Sequence, residues 1–175
     1  NIGEMSLQDI AYVVANTLFG DDIESETLKN IVNDTLNFDI PLVHVADNKY
    51  SLELFHGPTL AFKDVGARFM ARLLGYFNKK NGTKDVNVLV ATSGDTGKAA
   101  LAGFADVPGT KIIVFYPKNG VSPIQEKQMV TQKGDNTFVV GIHGNFDDAQ
   151  SGVKAIFGDK ALEEEMDKAG FQFSS

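Results

Sequence analysis

Residues 64–173 alternate between helix-like and strand-like patterns, and this alternation constrains the fold more than any other feature. Three short runs, 86–91, 112–116 and 137–140, are largely apolar instead of alternating with polar residues. A strand of that composition is buried on both faces, which is typical of a parallel sheet covered by helices. We therefore predict an α/β fold with three layers, α/β/α, and a mostly parallel sheet.

Helical periodicity is found between and around these runs. The sequence predicts helices over 6–19, from Ser25, and over 64–79, 98–105, 122–133, 146–157 and 159–169, with a possible strand at 171–173. Two further strand-like runs, 42–46 and 50–54, indicate a hairpin. We predict a helical remnant of an N-terminal domain over 1–40 and an α/β lobe over 41–175.

The composition excludes several classes of function. The 175 residues carry 23 acidic and 16 basic side chains, for a net charge of −7. A nucleic-acid partner is not predicted, because binding phosphates requires a basic face. No apolar run reaches the roughly 18–20 residues that a membrane span needs. No metal site is predicted, since cysteine is absent and the three histidines are widely spaced. We expect a soluble cytoplasmic protein.

A glycine loop, 91–98, lies between a predicted strand and a predicted helix. Its helix-start N–H groups and the hydroxyls of Ser93 and Thr96 can cradle an anion. It is not a nucleotide-binding P-loop, because Ala99 follows Lys98 where that motif needs a hydroxyl. The alternative is an ordinary turn and helix cap, and the loop residues by themselves leave both interpretations open.

Lys63 is preceded by apolar residues and lies just before a predicted helix. Burial among Phe62, Leu60 and Phe55 would lower its pKa, as would the helix N-terminus, and favour the neutral amine that attacks carbonyls. That environment is typical of a lysine that forms a Schiff base. A solvated lysine at a helix start is the alternative, and composition does not exclude it.

Three segments together resemble one enzyme family, the threonine synthases. The run Leu-Phe-His-Gly-Pro-Thr-Leu-Ala-Phe-Lys-Asp over 54–64 closely resembles their cofactor-lysine segment. The run Ala-Thr-Ser-Gly-Asp-Thr-Gly over 91–97 is similar to their substrate loop, and 116–127 is similar to a third segment. The three segments occur in the family's order.

This resemblance implies the fold group of the tryptophan synthase β chain and cysteine synthase, with pyridoxal 5'-phosphate as cofactor. The reaction it implies converts O-phospho-L-homoserine and water to L-threonine and phosphate. Lys63 would form the internal aldimine and later move protons at the substrate's α and β carbons. The residues implied to hold the substrate's carboxylate are Ser93, Gly94, Asp95 and Thr96.

Other site residues follow from the same resemblance. Asp95 would also lie near the cofactor's phenolic oxygen, where many relatives carry an asparagine that donates a hydrogen bond. An ionised Asp95 cannot donate, so its protonation stays open. Lys118 and Ser122 are candidates for the substrate's phosphate, and the alternative there is a plain helix cap. His56 and Thr59 flank the lysine and can line the pocket.

The family holds the cofactor's phosphate in a separate glycine-rich loop, and no such run follows residue 98. We therefore interpret the chain as a fragment of a larger two-lobed enzyme, its N-terminal portion, whose partner is the C-terminal remainder. We expect the isolated chain to be inactive and to bind the cofactor weakly. Two alternatives remain: another enzyme of the fold group, such as a threonine dehydratase or cysteine synthase, and a non-enzymatic anion-binding α/β module.

Overall fold

A computed structural model describes residues 1–82 and 84–175. Contacts divide the chain into two compact units, 1–57 and 58–175. The hairpin that we assigned to the α/β lobe lies in the first unit, and its two strands pair with each other. Within the described ranges, no helix is both long and apolar enough to cross a membrane.

The first unit contains a short 3-10 helix, two α-helices and the hairpin. Its elements are a 3-10 turn at Ile2–Glu4, α1 at Leu7–Phe19, α2 at Ser25–Thr35, β1 at Leu42–Ala46 and β2 at Lys49–Leu52. Ser6 caps α1 in a reciprocal capping box with Asp9, as the sequence predicts. The buried face of α2 carries Leu28, Ile31 and Val32 at helical spacing.

The second unit is an open α/β sheet. Its elements are α3 at Lys63–Asn81, β3 at Asp85–Ala91, α4 at Asp95–Phe104, β4 at Thr110–Pro117, α5 at Pro123–Val130, β5 at Thr137–Ile142, α6 at Phe146–Gly158, α7 at Lys160–Lys168 and β6 at Phe171–Ser174. The strand order is β5-β4-β3-β6, and every neighbouring pair is parallel. The predicted α/β fold is confirmed.

Helices cover both faces of this sheet. On one face, side chains of α3, α4 and α5 enclose the alternate residues of β3 and β4 in one core cluster: Ala71, Ala100, Leu101, Phe104 and Met129 against Val86, Val88, Ile112, Val114 and Tyr116. The residues between them point to the opposite face, where Leu89 is buried and Ile113 and Phe115 are partly buried. There α6 packs against β3 and β4 and buries Ala149 and Val153.

One difference from the predicted boundaries is at the glycine loop. Helix α4 begins at Asp95, whereas the sequence analysis placed its start at residue 98. Gly97 is therefore a helical residue and not part of the loop. It is needed there because a Cβ at this position would lie 2.8 Å from Cγ1 of Val114, so α4 lies too close to the sheet for any larger residue.

Candidate active site

The parallel sheet brings the loops after β3 and β4 to one edge. Both strands run in the same direction in neighbouring positions, so the segments that follow them emerge side by side. A hydrogen bond from Nε2 of Gln125 in α5 to Oδ1 of Asp95 in α4, 2.9 Å long, joins the two. The predicted substrate loop and the third family-like segment therefore meet in one site.

Thr92 fixes the shape of the glycine loop. Its side chain is buried, and its Oγ1 accepts hydrogen bonds from the N–H groups of Gly94, at 3.0 Å, and Gly97, at 2.8 Å. Gly94 has a φ of +139°, and a Cβ there would lie 2.6 Å from the Gln125 amide. Gly94 is therefore required both by its backbone conformation and by the space beside Gln125.

Asp95 is the charged residue of this loop. Its Oδ1 accepts the hydrogen bond from Gln125 and lies 3.0 Å from Nζ of Lys98. The Gln125 hydrogen bond lowers the pKa of Asp95 most, and Lys98 and then the charge of Lys63 lower it further. These interactions favour the ionised form of Asp95.

Lys63 is the first residue of α3 and is half-buried. It lines a cavity of about 730 Å³ together with Thr96 of the glycine loop. The other walls are mainly apolar and come from α3, β3, α4 and α6, for example Met70, Val90, Ala100 and Phe157. An amine and a loop hydroxyl thus face one concave apolar space, which is the usual form of a small-molecule site.

The predicted burial of Lys63 among apolar neighbours is wrong. Leu60, Phe62 and Phe55 are all exposed, and Nζ of Lys63 lies 5.0 Å from the centre of the Phe62 ring. The reason is the turn before α3, where Leu60 has a left-handed φ of +60° and its side chain faces outward. Lys63 therefore lies at the wall of the cavity, which Phe62 also lines, and not in a buried apolar cluster.

A buried contact sets the turn that precedes Lys63. Oδ2 of Asp64 accepts the N–H of Thr59 at 2.9 Å, and Oδ1 accepts its hydroxyl at 2.6 Å. Both residues are buried, Asp64 with 1% of its surface exposed. Thr59, which we expected to line the pocket, is absent from the cavity wall described above and holds the turn instead. These two hydrogen bonds can hold the strained backbone at Leu60 in place.

The two phosphate candidates follow β4. The backbone N–H of Lys118 donates to the carbonyl of Ile142 at 2.9 Å, and its side chain is exposed. Ser122 is the N-cap of α5, where its Oγ accepts the N–H of Gln125 at 3.2 Å. The cap interpretation of Ser122 is therefore confirmed, and its hydroxyl hydrogen remains able to donate to an anion.

His56 belongs to the first unit. Its Nε2 lies 2.7 Å from a Glu53 carboxylate oxygen, and its ring stacks on Phe55 with centroids 4.7 Å apart. Across the described part of the chain, no cluster of three or more His, Cys, Asp or Glu side chains is arranged to hold a metal ion.

Sequence reasoning missed three residues that organise the site: Thr92, Asp64 and Gln125. For Gln125 a signal existed, because Ser122 followed three residues later by Gln is the pattern of a capping box. For Thr92 and Asp64 no local pattern identifies the partner, since each acts by accepting hydrogen bonds that only the folded backbone brings to it.

The comparison with known families fits this geometry. The sequence model described as "Pyridoxal-phosphate dependent enzyme" matches residues 49–168. The chain belongs to this family. Among curated members, it is 43% identical over 149 residues to threonine synthase of Escherichia coli (strain K12), covering 85% of this chain and 34% of that protein. It is 37% identical over 174 residues to threonine synthase of Saccharomyces cerevisiae, covering 90% and 34%.

Solved structures of this pyridoxal-phosphate-dependent family give the same result. The PLP-bound threonine synthase from Brucella melitensis superposes with a TM-score of 0.86 at 35% identity, covering 98% of this chain and 37% of that one. Yeast threonine synthase gives a TM-score of 0.86 at 35% identity, covering 99% and 36%. The chain thus spans about a third of the length of the relatives that it matches.

The residues of this chain fit the cofactor of the family. Pyridoxal phosphate is held through a primary amine, and Lys63 supplies one at the wall of a cavity of about 730 Å³. The mainly apolar walls suit an aromatic ring, since such sites combine apolar surface with a few polar groups. Thr96 provides one of those polar groups.

Proposed function

We propose that the protein carrying this chain is a threonine synthase, which converts O-phospho-L-homoserine and water to L-threonine and phosphate. The observation that carries the proposal is that one cavity is lined by both Lys63 and Thr96, which come from two of the three segments that resemble this family. The identity of 37–43% to proteins named threonine synthase over most of the chain supports the same reaction.

Each predicted residue has a role in this proposal. The pyridoxal ring, when bound through Lys63, withdraws electrons from the substrate's α carbon. The freed amine of Lys63 moves protons at the α and β carbons. The hydroxyls of Ser93 and Thr96 and the N–H groups at the start of α4 hold the substrate's carboxylate, with Gly94 allowing close approach. Asp95, at the same helix start, would lie near the cofactor's phenolic oxygen.

The substrate's phosphate is assigned to the loop after β4. Lys118 offers an exposed ammonium, and Ser122 offers a hydroxyl at the N-terminus of α5, where anions are favoured. Because Gln125 connects this cap to Asp95, both ends of the substrate would be held by one connected structure. The C-terminal remainder of the protein completes the site, and we place the enzyme in the cytoplasm.

The decisive experiment is an assay of the full-length protein with O-phospho-L-homoserine. We expect equimolar release of phosphate and L-threonine, and borohydride should trap the cofactor on Lys63. Lys63→Ala should lower kcat by at least about 10³-fold, because the covalent anchor and the proton carrier are lost together.

Two other outcomes would overturn the proposal. Keto-acid formation, or sulfide-dependent cysteine formation, without threonine would assign the protein to another enzyme of the fold group. Phosphate binding with no borohydride-trapped adduct would assign it to the non-enzymatic class. Lys49→Ala, which changes an exposed lysine of the first unit, is the matched control and should leave turnover unchanged.

A further inference from the structure

Two side chains, those of Gln125 and Lys98, converge on Asp95. Nε2 of Gln125 donates to Oδ1 of Asp95 at 2.9 Å, and Nζ of Lys98 lies 3.0 Å from the same oxygen. The hydrogen bonds and ion pairs described around this loop include none to Oδ2 of Asp95. One carboxylate oxygen is therefore occupied from within the protein, and the other is left for a ligand.

The burial of Lys98 indicates which protonation state of Asp95 the fold stabilises. The Lys98 side chain is only 8% exposed, whereas that of Asp95 is 49% exposed. A buried ammonium is costly unless an opposite charge is paired with it. Asp95 is the partner with which Lys98 forms an ion pair, so a neutral Asp95 would leave a buried charge without compensation. Lys98 thus stabilises the carboxylate form.

Gln125 can present only its donor to Asp95. Its Oε1 accepts the backbone N–H of Ser122 at 3.2 Å in the capping box of α5, so its amide nitrogen faces the carboxylate. Its side chain also lies where a Cβ on Gly94 would be. The Gln125 amide is therefore held by Ser122, Asp95 and Gly94. Two donors, from Gln125 and Lys98, approach one oxygen of Asp95, and this arrangement matches an ionised acceptor.

We propose that Lys98 and Gln125 are positioning residues that hold Asp95 as an ionised carboxylate with one oxygen free to accept a hydrogen bond. The consequence for the site rests on the proposed function: Asp95 accepts a hydrogen bond from the ligand, where an asparagine would donate one. Lys98 acts through charge and Gln125 through orientation, so substitutions at the two positions have separable effects.

The test is the titration of Asp95 by NMR in the full-length protein, with neither cofactor nor substrate present. The pKa of Asp95 should lie below its ordinary value of 3.8, and it should rise in Lys98→Met and in Gln125→Met. Lys98→Arg keeps the charge and should preserve the lowered pKa. Ser122→Ala weakens the cap of α5 but keeps the Gln125 amide, so this variant should also preserve the lowered pKa of Asp95.

Each result decides the matter. An ordinary pKa in the wild type, or one unchanged in both Met variants, would overturn the proposal. A rise in Ser122→Ala equal to that in Gln125→Met would show that only the helix cap matters, which would also overturn the role of Gln125. If Lys98→Met does not fold, the titrations of Asp95 in Gln125→Met and Lys98→Arg still test the proposal. Failure of the threonine synthase assay would leave these pKa values untouched, so the two proposals fail separately.

Discussion

Thr59 and Asp64 show how single residues outside the cavity wall determine the position of Lys63. The Asp64 carboxylate accepts both the N–H and the hydroxyl of Thr59, and this contact closes the turn that contains Leu60 in a left-handed conformation. A bulky residue with positive φ is strained and persists only where its surroundings hold it. Lys63 is thus positioned by the hydrogen bonds between Thr59 and Asp64, which close the turn that precedes it.

Thr59→Val tests this contact with nearly unchanged shape. It leaves one oxygen of a buried carboxylate without its donor, and we expect a loss of about 1–3 kcal/mol of unfolding free energy. Thr59→Ser retains the hydroxyl and should cost less. Urea unfolding of both variants measures the difference. Equal stability of the two would mean that the hydroxyl contributes nothing and that the backbone N–H alone holds Asp64.

Helix α4 is the element on which the site depends most. Its first turn supplies Asp95 and Thr96, and its small residues let it lie close to β3 and β4. Local sequence suggested a loop here, because two glycines within five residues are typical of turns. Tertiary packing makes this segment helical instead. Thr92 accepts the N–H of Gly97, and the neighbouring side chains leave room at Gly97 for a hydrogen atom only.

Gly97→Ala and Gly152→Ala form a matched pair for this element. In α4 the added methyl would collide with Val114, 2.8 Å away, so we expect a loss of about 1–3 kcal/mol of unfolding free energy. In α6 nothing lies within 4 Å of the added methyl. Gly152→Ala should therefore stabilise by about 0.4–1 kcal/mol, through reduced freedom of the unfolded chain. Chemical unfolding monitored by circular dichroism checks both signs, and a stabilised Gly97→Ala would refute the close approach.

At the scale of the whole molecule, one core holds the second unit together. The cluster joins α3, α4, α5, β3 and β4, so the loops of the candidate site rest on a single packed body. Loops on such a scaffold keep their geometry because the strands and helices that carry them cannot shift independently.

Leu101→Ala tests this core directly. Leu101 is fully buried, and its truncation should lower the unfolding free energy by about 2–5 kcal/mol, through lost apolar burial and the cavity left behind. Ile124→Ala removes an aliphatic side chain that is 74% exposed, and the change should stay within about 0.5 kcal/mol. Denaturant midpoints of the two variants give the comparison. A small effect at Leu101 would contradict a close-packed cluster.

The sequence by itself determined the order of elements, the parallel sheet and the chemical type of the site residues. These follow from patterns with short range, namely apolar runs of strand length and helical periodicity. The family resemblance likewise lies in contiguous segments, so it could be identified without any contact being known.

Only the tertiary structure decided the surroundings and the hydrogen-bond partners of those residues. It placed Lys63 and Thr96 at the wall of one cavity, and it joined Gln125 to Asp95 across thirty positions of sequence. The physical reason is that pKa, burial and hydrogen-bond geometry depend on groups close in space, and a parallel sheet brings together loops that are distant in the chain.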